Sequence, residues 1–322
     1  MPLKSTTESL YFSKKDRAQD PRLGDFAQGA EISKLLHTNA NDWALLGYPD
    51  DDGIALNGGR TGAALAPDII RKHFYKMTPT QLPCPAFYDL GNLQPVQEIK
   101  DRHAEAKKYV QEVLSLKRTL FTLGGGHDYG YSDASGFMES VTTNKGEKPL
   151  VINFDAHLDV RSTDKGFHSG TPFFRFLQEY KSKMDFIEAG IQPQCNSPYH
   201  RKWAQDHGAI ILSQHTLERL GIVQALQETI ESVSGASTTS RPLWISLDMD
   251  AFCSKEAPGC SQSFATGLEV SSFLSALRYL KSNFSLRGMG IYEVSPPLDQ
   301  DERTSKLAAL IMHHTVFDAE ET

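Results

Sequence analysis

Three short stretches carry acids and imidazoles at spacings that suit metal chemistry. In NFDAHLDV, Asp155, His157 and Asp159 stand two residues apart, and in SLDMDAF Asp248 and Asp250 do the same. Alternate side chains of an extended chain share a face, so each set is expected to point one way. In TLGGGHD, His127 follows an apolar run and Gly124, Gly125 and Gly126, which remove bulk and permit tight turns that let the imidazole approach the same point. Carboxylates gathered this closely must protonate, spread apart or bind a cation. A metal site is the cheapest resolution. Four aspartates and two histidines suit two divalent ions with bridging ligands, and an oxygen-rich set without thiolate leans to manganese over structural zinc. Two such ions can hold a water between them and lower its pKa, which is the chemistry of a hydrolase. A single Asp pair at a strand end is more often a turn or a helix cap. The three stretches together, each after an apolar run, point to metal.

Other chemistries lack their residues. The glycines of TLGGGHDYG follow a strand but do not form GxGxxG, no P-loop is present, and no GxSxG elbow serves a Ser-His-Asp mechanism. The four cysteines, Cys84, Cys195, Cys253 and Cys260, are too few and scattered for a disulfide scaffold and read as free thiols of a reducing compartment.

The acidic stretches sit at the ends of elements that alternate along the chain. Trp43–Pro49, Arg118–Leu123, Pro149–His157, Pro242–Phe252 and Leu286–Pro296 read as strands. Ala63–Phe74, Val96–Leu116, Ser132–Val141, Thr171–Ser182, Thr216–Ser234 and Arg303–Phe317 read as helices. Strands apolar on both faces and followed by helices predict βα units around a parallel sheet, with function at the carboxyl ends of the strands. About eight strands are counted, which a (βα)₈ barrel would also fit. Residues 1–40 are polar and read as an N-terminal arm; 41–322 read as one catalytic domain. The loosest internal stretches are Ser234–Pro242 and Asp159–Gly170.

The 322 residues include 33 Lys+Arg and 40 Asp+Glu, a formal charge of -7, and 39% are hydrophobic. This is an ordinary globular composition, and its acidity argues against a general nucleic-acid groove. No apolar run approaches the ~20 residues that cross a bilayer, and the first residues contain no apolar signal core, so a cytoplasmic protein without a membrane role is expected.

GGGHD, NFDAHLDVR, SLDMDAF and YEVSPPLDQDERTSKLAA, in that order, resemble the ureohydrolase superfamily of arginases, agmatinases and formimidoylglutamases, from about Leu45 to Ala309. GYPDDDGIALNGGRTGAALAPDIIR and HSGTPFF look most like the formimidoylglutamase branch. The resemblance implies a three-layer αβα fold around a central, mostly parallel eight-stranded sheet, which favours an open sheet over the barrel. It implies two Mn2+ ions, one held by His127, Asp155, Asp159 and Asp248 and the other by Asp155, His157, Asp248 and Asp250. Two departures stand out. Many family members have an acidic residue and then a serine around the first histidine, where this chain has Gly126 and Asp128. After the DMD stretch an Asp-Pro pair is usual, where this chain has Ala251–Gly259.

The implied substrate is a small amidine or guanidino amino acid whose planar carbon is attacked by hydroxide. Asp159 would take the proton and pass it to the departing nitrogen. Glu293 would pair with the cationic end, and His168 would shuttle protons or touch substrate. Arg161, Arg60 and Asn57 are the candidates for a carboxylate tail, with Arg161 foremost. An arginine there suits N-formimidoyl-L-glutamate, an intermediate of histidine breakdown, better than agmatine. Urea-releasing hydrolysis of a guanidino compound is the alternative. Homo-oligomers are common in the family. A structural or interaction role, as in family-like proteins that lose their metal ligands and become binding modules, is a rival reading, as is a one-zinc deacetylase of histone deacetylase type; the number of metals per chain separates the latter.

Overall fold

The computed structural model describes residues 3–14, 16–96, 98–143, 147–234 and 241–318. Among them, nine strands form one open sheet: β1 Ala27–Gly29, β2 Trp43–Gly47, β3 Phe87–Asn92, β4 Thr119–Leu123, β5 Leu150–Phe154, β6 Asp185–Ile191, β7 Ala209–Ser213, β8 Pro242–Asp248 and β9 Ser285–Tyr292. Their order is β1-β3-β2-β4-β9-β8-β5-β6-β7. Every pairing is parallel. β1 and β7 stand at opposite edges and do not pair with each other, so the sheet is open and the barrel alternative is excluded. The count exceeds the expected eight because of β1, a three-residue edge strand in the polar N-terminal stretch. It has no alternating apolar pattern to announce it, and it joins the sheet by pairing with β3.

Ten helices connect the strands among the described residues: α1 Asp52–Leu56, α2 Ala66–Phe74, α3 Ile99–Ser115, α4 Gly130–Ser140, α5 Pro172–Tyr180, α6 Pro198–Asp206, α7 Gln214–Leu220, α8 Ile222–Ser234, α9 Val270–Asn283 and α10 Arg303–Phe317. The stretch read as one helix from Thr216 to Ser234 is two. Gly221 takes a φ of +81°, a left-handed conformation that ends α7 before α8 begins. Most of the loose stretch 234–242 lies outside the described residues.

Alternation along the strands divides the core in two. Leu45, Phe121, Ile152, Phe154 and Leu247 face Ile70, Leu226, Phe273 and Ile311 of α2, α8, α9 and α10. Leu46, Leu120, Val151 and Trp244 face Val110, Phe137 and Phe176 of α3, α4 and α5. The result is three layers, with both sheet faces covered, as parallel strands need.

β4 and β5 are consecutive in sequence but separated in the sheet by β9 and β8. Such a reversal of strand order opens a crevice at the carboxyl ends. His127, Glu293, Asp248 and Asp155 follow or end these four central strands, β4, β9, β8 and β5. No helix among the described residues is long and apolar enough to cross a membrane.

Candidate metal centre

The six predicted ligands converge, although not by strand alternation. β5 ends at Phe154, so Asp155, His157 and Asp159 lie in the turn that follows, and Asp159 has a φ of +48°. β8 ends at Asp248, and Asp250 sits in a single 3₁₀ turn, Met249–Ala251. Asp248 Oδ1 accepts from Asp250 N at 2.8 Å, and Asp155 Oδ1 accepts from His157 N at 2.6 Å. Each aspartate thus folds the turn that brings in the next ligand.

Two groups result: His127, Asp155, Asp159 and Asp248, and Asp155, His157 and Asp250. His127 Nδ1 lies 3.1 Å from Asp155 Oδ2, 3.0 Å from Asp159 Oδ2 and 3.2 Å from Asp248 Oδ2. His157 Nδ1 lies 3.0 Å from Asp250 Oδ2 and 3.6 Å from Asp155 Oδ1. Asp155 is common to both groups. Asp248, which the resemblance would place in both, falls in the first alone.

One ring nitrogen cannot satisfy three carboxylates, and His127 Nδ1, buried, makes no well-formed hydrogen bond to any of them. Its other nitrogen, Nε2, is engaged by Ser246 Oγ at 2.9 Å, so Nδ1 is the atom left for a cation. Carboxylate oxygens and imidazole nitrogens without thiolate make a donor set that fits manganese. The metal-free electrostatics say the same. Burial, strengthened by the Asp155 charge, pushes Asp159 up to about 6. Burial together with neighbouring aspartates raises Asp248 and Asp250. For His127 burial works against the charge, but the three aspartates crowded around its Nδ1 hold it well above the ordinary imidazole value.

The three glycines act through space rather than through conformation, since none has a positive φ. A Cβ on Gly124 would lie 2.4 Å from Tyr292 Cδ1, and one on Gly125 1.6 Å from Asp50 O. Tyr292 stacks on His127 at 4.8 Å, and its hydroxyl donates to buried Asp133, which also takes Tyr48 Oη at 2.6 Å and Thr122 Oγ1 at 2.5 Å. Gly126 and Asp128 belong together. A Cβ at 126 would lie 2.3 Å from Asp128 Oδ1, so an acidic side chain there has no room beside Asp128. Asp128 Oδ2 meets His103 Nε2 at 2.6 Å, and His103 Nδ1 meets Arg175, whose guanidinium lies between Tyr131 and Phe167. The other departure, Ala251–Gly259, is well packed: Ala251, Phe252 and Ala257 are buried, and Asp250 is supported by Ala156 N at 3.3 Å instead.

A cavity of about 290 Å³ opens over the ligands, and Glu293, Arg161, Asn57, Ser169, Ser261 and Gln262 are among its lining. Glu293 has a φ of +63°, a conformation that costs roughly 1–3 kcal/mol and clusters at functional sites. It turns the side chain back so that Oε1 accepts from His127 N at 3.0 Å. Burial pushes its carboxyl up to about 8. Arg161 Nη1 donates to Asn57 Oδ1 at 2.6 Å, and Asn57 Nδ2 donates to Ser169 Oγ at 3.0 Å.

Two expected substrate contacts are placed elsewhere. Arg60 lies outside this lining; its guanidinium donates to the carbonyls of Cys260 and Ser261, at 3.1 Å and 2.8 Å, and so holds the loop that supplies Ser261 and Gln262. His168 is buried beneath the lining, and its Nδ1 accepts from Gly170 N at 3.2 Å. Burial and the Arg161 charge hold its imidazole below the ordinary value. Sequence reasoning did not single out Ser246 or the lining residues Ser169, Ser261 and Gln262. For Ser246 a signal existed: it is a polar residue inside an otherwise apolar strand.

The architecture has known counterparts. The model of the Arginase family matches residues 41–317. A formimidoylglutamase of Streptococcus pyogenes is 28% identical over 294 residues, covering 88% of this chain and 87% of its own length. Among solved structures, the formiminoglutamase of Trypanosoma cruzi with Mn2+ has a TM-score of 0.78 at 25% identity, over 92% of this chain and 98% of that one. Formimidoylglutamase from Bacillus subtilis has a TM-score of 0.79 at 25% identity, over 95% and 92%. With most of its length matched, the chain belongs to the arginase family.

Proposed function

We propose that the protein is a dimanganese hydrolase that converts N-formimidoyl-L-glutamate and water to L-glutamate and formamide, a step of histidine breakdown. The observation that carries this reading is one cleft in which buried Glu293 and exposed Arg161 flank the ligand cluster. An acid suits an amidinium, and an arginine suits a carboxylate tail. The formimidoylglutamases among its relatives support the choice of substrate.

His127, Asp155, Asp159 and Asp248 would hold one ion, and Asp155, His157 and Asp250 the other. When bound, such ions supply Lewis acidity and a water of lowered pKa. Glu293 has one oxygen fixed by His127 N–H, so its other oxygen is free to orient the amidinium. Asp159 takes the proton of the attacking water and returns it to the departing nitrogen. Arg161, anchored along one edge by Asn57, offers its other edge to the tail. His168 shapes the turn that carries Ser169, and Arg60 fixes the opposite loop. We also place the protein in the cytoplasm, which its four free cysteines support.

The test compares manganese-loaded protein on N-formimidoyl-L-glutamate, L-arginine, agmatine and guanidinobutyrate. The first is expected to show the highest kcat/KM; preference for arginine or another guanidino compound would replace the proposed substrate by that one. Arg161→Ala is expected to raise KM about 10–100-fold, the loss of a charged hydrogen bond of ~1.5–3 kcal/mol, with manganese content unchanged. An unchanged KM would remove Arg161 from the tail site.

A further inference from the structure

Across the middle of the strands that lead to the site runs one row of mostly polar residues. Thr122 of β4 pairs with Gly290 of β9, Gly290 with Ser246 of β8, Ser246 with Asn153 of β5, and Asn153 with Glu188 of β6. The four polar residues of this row are fully buried, where a polar group is costly unless hydrogen-bonded. Thr122 bonds Asp133, Ser246 bonds the ligand His127, and Asn153 bonds the ligand Asp155. Glu188 reaches no ligand by hydrogen bond, and among the described residues it makes no ion pair. Its one hydrogen bond is from Asn153 Nδ2 to Oε2 at 2.8 Å, and Oε1 has no partner. Its neighbours on β6, Phe186, Ile187, Ala189 and Ile191, are all buried and apolar. A carboxyl group buried among them with one oxygen unpartnered works against stability, so its contribution lies in what it holds.

It holds Asn153. The amide Nδ2 donates to Glu188 at 2.8 Å and to Asp155 Oδ2 at 3.3 Å. The shorter bond fixes the amide plane, and the longer one is thereby aimed. Asp155 is the ligand common to both metal groups, with Oδ2 towards His127 and Oδ1 towards His157. Oδ1 is already fixed by the His157 N–H. Oδ2 is steadied from below by Asn153.

We propose that Glu188 is a positioning residue of the metal centre: through Asn153 it sets the carboxylate plane of Asp155, so that one oxygen serves each ion. The proposal rests on the two-ion reading above.

Glu188→Gln keeps the acceptor and the size, whereas Glu188→Leu keeps the bulk and removes the acceptor. Manganese per chain after dialysis, titrated affinities and the exchange-coupled electron paramagnetic resonance signal of a manganese pair are compared with the parent. The parent and Glu188→Gln are expected to hold two ions with affinities within about threefold. Glu188→Leu is expected to keep one ion and to bind the other about 10–100-fold more weakly, the usual effect of losing a group that orients a ligand. Folded Glu188→Leu with both ions at parental affinity, or with both weakened equally, would overturn the proposal. If that variant does not fold, Asn153→Ser breaks the same link with a smaller change, and the same two outcomes decide. A parent that never binds two ions overturns the underlying reading instead.

Discussion

Asp155→Ala, loaded with manganese, is expected to turn over the amidine at least about 10³-fold more slowly than the parent. A factor of 10³ corresponds to ~4 kcal/mol of transition-state stabilisation, which is within what bound metal supplies. The size of the effect follows from Asp155 belonging to both ligand groups. Removing it would take a donor oxygen from each proposed ion site, free the Asn153 amide that bonds it, and release His157 N–H, which caps on Oδ1 at 2.6 Å. Asp250→Ala, by contrast, touches one group and should leave one ion in place. Steady-state kinetics and metal analysis on the two variants check this. Activity of Asp155→Ala within about tenfold of the parent would mean that the carboxylate is not shared.

Manganese should stabilise the protein more at pH 8 than at pH 6. In the metal-free chain, burial raises Asp248 and Asp250 and puts Asp159 at about 6 and Glu293 at about 8. The folded chain therefore keeps protons that the unfolded chain has released above its ordinary carboxyl pKa of about 4. Where the unfolded state binds fewer protons, stability falls as pH rises. The contribution of these groups is complete below about pH 4 and is lost as pH passes 6 for Asp159 and 8 for Glu293. His127 and His157, raised by the same acids against the effect of burial, add in the same direction. Asp155 runs the other way: the nearby imidazoles of His127 and His157 overcome burial and keep it below the ordinary carboxylate range, so its contribution is lost only in acid. A cation takes the place of the protons that the raised groups hold, and protons compete with it less at high pH. At a thousand times its Kd, the metal adds ~4 kcal/mol. For a chain of this length that corresponds to a rise in Tm of roughly 6 °C. Thermal unfolding with and without manganese at the two pH values measures it. Equal shifts would mean that these carboxyls do not exchange protons for metal.

The ligands were legible because strand-end acids are conspicuous after apolar runs, but the reason they meet was not. Alternation on an extended chain would have needed β5 to continue to Asp159. The strand stops at Phe154, and side-chain caps from Asp155 and Asp248 fold the turns. Those caps depend on backbone geometry that residue types do not specify. The parallel sheet was legible from runs such as LVINF and PLWISLD, while β1 was not, since three residues of AQG form a strand only by tertiary pairing. Arg60 and His168 show the same limit on the site: their types suit a substrate, but long-range contacts with Cys260, Ser261 and Gly170 decide where they lie. The buried row from Thr122 to Glu188 could have been noticed as polar letters inside apolar strands, although its register across the sheet could not.

The four strands that lead to the candidate ligands and to Glu293 are contiguous in the middle of the sheet, whereas Asn57, Arg161, Ser169 and Gln262 stand on connecting segments beyond the strand ends. Reaction and recognition are therefore built from separable parts. A descendant could exchange the rim for one that grips a different tail and inherit the hydrolytic machinery unaltered, because insertions in surface connections disturb a packed sheet little. Such modularity makes this scaffold a natural starting point for laboratory evolution towards new amidines, with diversity confined to the rim.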